Sequence, residues 1–221
     1  MEVISMKSRR IIMSLTGVII TAISIGAFKY AAFGVDPFQS FMSGIDTLIP
    51  IDFGTLYVIV NAVLLLFALI FDRHYIGIAT FINSFLLGYV VEFSQNLMIL
   101  LFPSPTVSLR VVCFLIGFIL LCFGSSLYMT ADMGVSTYDA IALICSNKWK
   151  LGKFRTVRII SDCLCIIAGI GMFLIGGGAA SSINAFVNFG TILTAFCMGP
   201  LIDYFNRKVS APLLHKYTPA Q

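Results

Sequence analysis

The chain has 221 residues, 59% of them hydrophobic and only 11% charged, with a formal net charge of +4. A mean hydropathy of +0.99 leaves too little polar surface to cover a water-soluble domain of this size, so the composition describes a multi-span membrane protein. The basic residues sit in short loops, where they report orientation in a bilayer, and nucleic acid is excluded as a partner.

Lys7, Arg9 and Arg10 precede a first apolar run, residues 11–28, that continues to Ala32 interrupted only by Lys29. The start resembles a signal peptide, but no small-residue cleavage site follows, and the run is expected to be a retained span. It ends in Ala31-Ala32-Phe33-Gly34-Val35-Asp36-Pro37-Phe38-Gln39-Ser40. Gly34 can take the positive φ that stops a helix, and Asp36 can cap a new one. Pro37 then occupies the first helical position, and Gln39 completes a capping box. Phe38, Phe41, Met42, Ile45, Leu48 and Ile49 make an amphipathic stripe over 36–49, too short to cross a bilayer of about 30 Å. This helix is interfacial or re-entrant.

Phe53 to Phe71 is a second, uncharged span. After the polar turn Asp72-Arg73-His74, a third runs from Tyr75 to Phe102 with Glu92 inside it, and Pro103-Ser104-Pro105 ends it. The plan then repeats. Val111 to Ala131 is a fourth span, entered just after Arg110 as the first is entered after Arg10, with Gly117 matching Gly17. It closes in Ala131-Asp132-Met133-Gly134-Val135-Ser136-Thr137-Tyr138-Asp139-Ala140, where Gly134, Ser136 and Asp139 take the places of Gly34, Asp36 and Gln39. A second short helix is expected over Ser136 to Asn147, followed by a basic loop of Lys148, Lys150, Lys153, Arg155 and Arg158. Cys163 to Ile202 carries no charge over forty residues, enough for two crossings about a glycine-rich turn at 176–182.

The third helices of the halves also correspond. Thr80 through Gly88, then Glu92, parallels Thr191 through Gly199, then Asp203, and Asn61 pairs with Asp162 when a gap is placed. The fold expected is therefore all-α, with six transmembrane helices in two three-helix repeats, residues 1–108 and 109–221, forming one membrane domain. Twelve of fourteen Lys and Arg fall on one side of this arrangement, which puts both termini in the cytoplasm of a bacterial inner membrane. Three spans per repeat require the second repeat to insert inverted, as in many secondary transporters.

The Gly34-Val35-Asp36-Pro37-Phe38 and Gly134-Val135-Ser136-Thr137-Tyr138 breaks are joined by a basic loop running into Gly152-Lys153-Phe154-Arg155 and Asp162. With the Gly190-Thr191-Ile192 to Gly199 and Asp203 ending, the chain resembles the YitT/YczE group of bacterial membrane proteins. The resemblance spans nearly the whole chain. It implies a small bacterial integral membrane protein and supplies neither a substrate nor catalytic residues.

Ionisable groups inside a bilayer are costly and mark candidate sites. Glu92 lies about 15 Å of helix before Pro103, deep if its helix is straight and at the headgroups if that helix ends early. Asp162, one turn after Arg158, is either an interfacial ion-pair partner or part of a transport site. Asp203 stands beside Arg207, and Lys29 either snorkels outward or faces a cavity. Asn61, Asn83, Asn184 and Asn188 are candidates for hydrogen bonds between helices. Together Glu92, Asn83, Asn61, Asp162, Asp36, Asp139, Gly34 and Gly134 form the candidate solute site. Two helix N-termini turned into a cavity would suit a small polar, anionic or zwitterionic solute.

The six cysteines include no C-x-x-C and read as small buried hydrophobes, and no metal spacing appears. No nucleophile–base pair or nucleotide loop is present, so an enzyme has no residues to stand on, and no cofactor is expected. Two functions fit: a small-solute transporter or permease with its site between the repeats, and a membrane adaptor or accessory subunit that carries nothing. Both take the lipid bilayer as partner, and a homo-oligomer is compatible with either.

Overall fold

A computed structural model describes residues 6–49, 51–152, 154–185 and 187–215, so Lys153 and Lys216 of the charge count lie outside the described residues. The described chain is helical, without a strand: α1 Met6–Ala31, α2 Pro37–Leu48, α3 Phe53–Phe71, α4 Ile78–Leu101, α5 Val107–Ala131, α6 Thr137–Leu143, α7 Phe154–Ile175, α8 Phe189–Phe205 and α9 Ala211–His215. A π-helical turn, Asn206–Ser210, joins α8 to α9. Six helices among the described residues are long and apolar enough to cross a membrane, the last continuing from α8 through that turn into α9. Large apolar side chains such as Leu100, Ile167 and Ile175 face outward on them, as contact with lipid requires. The protein is a multi-pass membrane protein.

Element ends shift from expectation for local reasons. The third span starts at Ile78 because Arg73–Tyr75 forms a 3₁₀ turn capped by Asp72, whose carboxylate takes the His74 N–H at 3.0 Å. The fourth starts at Val107, with Thr106 as cap, so Arg110 lies inside α5. Its guanidinium donates to the carbonyls of Ala31 (2.7 Å) and Ala32 (3.3 Å) and so binds the C-terminus of α1, where a cation is favoured. The second short helix is α-helical only to Leu143 and widens into a π turn over Ile144–Lys148.

Both glycine breaks form, but the residue that ends each helix is not the glycine. Ala32 and Asp132 adopt left-handed backbone at φ 53°, immediately after α1 and α5, and Gly34 (φ 99°) and Gly134 (φ 104°) make a second positive-φ step two residues later. Each break then caps a distant helix. The Phe33 carbonyl accepts the Gly190 N–H (3.0 Å) at the start of α8, and the Met133 carbonyl accepts the Ala79 N–H (2.9 Å) at the start of α4. These N–H groups have no partner within their own helices, so the breaks satisfy donors that would otherwise be orphaned.

The centre is the crossing of α1 and α5. Gly17 lies so close to α5 that an added Cβ would sit 2.7 Å from the Gly124 carbonyl oxygen, the small-residue contact by which membrane helices pack. Phe28 and Phe114 stack across the same pair at 4.9 Å. Gly44 of α2 and Gly169 of α7 meet in the same way. Pro37, Phe38, Gln39 and Ser40 are all buried, so the first turn of α2 lies in the interior and not flat on a surface. Phe38 stacks there on Tyr138 of α6 at 4.9 Å.

Candidate functional site

The starts of α2 and α6 open onto a cavity of about 670 Å³, walled also by α1, α3, α4, α5, α7 and α8. Asp36, Asn61, Asn83, Asp139 and Asp162 line it. The structure thus brings together five of the eight residues singled out from sequence. Gly34 and Gly134 do not line it; they bend the chain so that the residues after them do.

Arg158 organises one wall. From α7 it pairs with Asp139 of α6, and through Nε with Asp162 one turn along at 3.2 Å. The Tyr138 hydroxyl donates to Asp162 at 2.7 Å, and the Tyr128 hydroxyl donates to Asp139 at 3.0 Å. The guanidinium lies over the Tyr138 ring, 4.3 Å from its centroid. The expected Asp162–Arg158 pair exists, but it faces the cavity and includes Asp139. Asp139 does not complete a capping box as expected. Its carboxylate instead accepts from the Ser136 hydroxyl (2.6 Å), Tyr128 and Arg158, while Ser136 caps α6 through the Asp139 N–H.

At the start of α2, Asp36 caps the helix by accepting the Gln39 N–H at 3.2 Å through one carboxylate oxygen. The other oxygen, Oδ2, is shielded from solvent and has no protein partner, as is Gln39 Oε1. The box expected between these residues therefore closes on one side only. Burial pushes the Asp36 carboxyl up to about 6, despite the Gln39 N–H and the field of Arg158. Asn61 joins α3 to α6, donating to the Tyr57 carbonyl at 2.8 Å and accepting from Thr137 at 2.5 Å. Asn83 accepts from the Tyr57 hydroxyl at 3.4 Å.

Glu92 is not in the cavity. It accepts the Gly54 N–H at 3.3 Å and so serves the start of α3, whose own N-cap residue, Asp52, makes no capping bond through its side chain. Lys29 lies over the Phe53 ring beside it, also outside the cavity. Asn188 caps α8 by accepting the Phe189 N–H (2.6 Å) and donates to the Asn184 carbonyl, so neither asparagine bridges spans as expected. Asp203 pairs with Arg207 at 2.9 Å. Cys163 and Cys197 are exposed rather than buried. Residue type and position alone missed Tyr57, Tyr128 and Gln39 as lining residues and placed Arg158 in a cytoplasmic loop. The four-residue spacing of Arg158 and Asp162 was the usable signal for the ion pair.

Residues 8–207 match the model of a family described as a family of unknown function, DUF6198. The chain belongs to that family. It is 26% identical over 202 residues to the uncharacterized membrane protein YczE of Bacillus subtilis, covering 90% of this chain and 86% of that protein. An uncharacterized protein of Haemophilus influenzae is 24% identical over 187 residues, covering 84% and 78%. The YczE-type resemblance of the chain is thereby shown. No solved structure matches the chain.

Proposed function

We propose that this DUF6198 member is a small-solute transporter or permease of the bacterial inner membrane, with its site in the cavity between two inverted three-helix repeats. The observation that carries the reading is the cavity, entered by the first turns of both short helices and lined by Asp36, Asn61, Asn83, Asp139 and Asp162. The repeat reading is supported by paired bonds: Phe33 to Gly190 and Met133 to Ala79 occupy equivalent positions of the two halves. Two-fold-related elements also exchange partners, α2 packing on α7 and α6 on α3. Gly77 and Asn188, which precede α4 and α8, share φ −148° and ψ −171°.

Transport is tested by reconstituting the full chain in liposomes and measuring uptake and counterflow for a panel of amines, amino acids, organic acids and sugars. Saturable flux above protein-free vesicles is expected for one class. Correctly folded protein that moves none would leave the adaptor reading, which has one observation on its side: Arg158, Asp139 and Asp162 satisfy one another without a ligand.

The charge count supports a cytoplasmic position for both termini. In a cysteine-free background, Ser104→Cys and Ser181→Cys are expected to react with a membrane-impermeant maleimide on intact cells, and Lys150→Cys only after permeabilisation. Protection of the first two with labelling of the third would reverse the orientation.

A further inference from the structure

We propose that the cavity binds a small organic ammonium ion bearing N–H groups, with Asp36 as its counter-ion and Gln39 and Thr21 as further acceptors. The proposal names the solute class for the transporter reading above, on which its physiological sense rests. Binding itself is measurable without transport.

Charge comes first. Asp36, Asp139 and Asp162 line the cavity against the single guanidinium of Arg158, leaving two net negative charges, while Asp203 at its margin is held by Arg207. Arg158 is paired with two carboxylates at once, so its single charge is already more than compensated. The α2 N-terminus is no better: Pro37 has no N–H, and the N–H groups of Phe38, Gln39 and Ser40 already bond Asp36. An anionic solute, which the helix breaks alone suggest, would meet a cavity of net negative charge.

The unsatisfied atoms point the same way. Asp36 Oδ2, Gln39 Oε1 and Thr21 Oγ1 are shielded from solvent and have no protein partner, and all three residues line the cavity. Gln39 is 1% exposed and Thr21 6% exposed, so these are interior groups whose hydrogen bonding is left to whatever occupies the cavity. Two of the three atoms can only accept. A ligand that donates several N–H bonds and carries positive charge answers both facts. A quaternary ammonium answers only the charge, and it would need open aromatic faces. Those of Tyr138 are already taken, by Phe38 on one side and Arg158 on the other.

The groups whose charges act on Asp36 are Arg158 and Asp162 of α7, Tyr57 of α3 and Lys29 of α1, with Asp139 of α6 across the cavity. Because burial holds the Asp36 carboxyl at about 6, proton and ammonium compete for it. Ammonium binding is retained above that pH and lost as pH falls through it.

The test is calorimetric titration of the full chain in lipid nanodiscs with n-butylammonium, tetramethylammonium, butyrate and sodium, at about pH 7.5 and about pH 5. Butylammonium is expected to bind at the higher pH and about tenfold or more weakly at the lower. Asp36→Asn should weaken it about tenfold or more while keeping the helix cap, since asparagine caps as well as aspartate. Gln39→Met, which removes the acceptor at similar size, should cost several-fold, and Glu92→Gln, outside the cavity, should cost nothing. Melting curves of each variant verify the fold. Butyrate binding in place of butylammonium, equal binding of tetramethylammonium or sodium, or undiminished binding by folded Asp36→Asn each overturns the proposal. Butylammonium binding without flux of any amine would sink the transporter reading and leave this one standing. Flux of another class without ammonium binding would do the reverse.

Discussion

Arg158→Leu is expected to destabilise the folded protein by about 3–5 kcal/mol, the usual cost of removing one partner from a buried ion pair. The arginine is 23% exposed and its partners less so, Asp139 at 6% and Asp162 at 9%. Without it two carboxylates face each other in an enclosed space, held only by the hydroxyls of Tyr128, Ser136 and Tyr138. Arg158→Lys should recover part of the loss, because a lysine keeps the charge but lacks the planar fork that reaches both carboxylates. The triple change Arg158→Leu with Asp139→Asn and Asp162→Asn should recover most of it, since amides need no counter-charge. Thermal melting of purified protein in one detergent reads all three. A single leucine variant that melts with the parent chain would mean the network is solvated.

The spans were legible because about twenty apolar residues in a row have few alternatives. The breaks were legible because glycine and a following N-cap residue carry local backbone information. What those breaks are for was not. The bonds from Phe33 to Gly190 and from Met133 to Ala79 join residues far apart in the chain, and no local pattern announces them. The site divides in the same way. Asp162 stood out by its spacing from Arg158, Asp36 and Asp139 as capping residues after the breaks, and Asn61 and Asn83 as polar groups in apolar surroundings. Glu92 stood out by the same rule and lies elsewhere, because counting residues from Pro103 fixes height along α4 but not which neighbour the side chain meets. Arg158 was hidden in a run of basic residues whose others serve orientation. Its partner Asp139 lies nineteen residues away, and that non-local pairing could not be read from the run.

Gly134→Val should cost more than any other single glycine change argued here, because it strikes backbone conformation and packing together. At φ 104° a β-branched residue has no favourable conformation, a penalty of about 1–3 kcal/mol for the backbone alone. An added Cβ would also sit 2.4 Å from the Gly77 nitrogen and 2.6 Å from Thr80 Oγ1, where it can be relieved only by lifting the break off α4. Lifting it gives up the bonds from Ala79 to Met133 (2.9 Å), from Val135 to Tyr75 (3.1 Å) and from Thr80 to Val135 (2.7 Å), each about 0.5–1.5 kcal/mol. Ser136, Thr137, Tyr138 and Asp139 follow directly in the chain, so the same movement withdraws Tyr138 and Asp139 from the cavity. Gly34→Val should act alike at the start of α8, where the added carbon would meet Thr191. Gly171→Val is the control, since an added Cβ there meets nothing within 4 Å. The measurement is the yield of monodisperse protein and its melting temperature, followed by butylammonium binding on whatever folds. A Gly134→Val protein that melts and binds like the parent would show that the positive-φ break is dispensable, and the cavity built upon it would have to be abandoned.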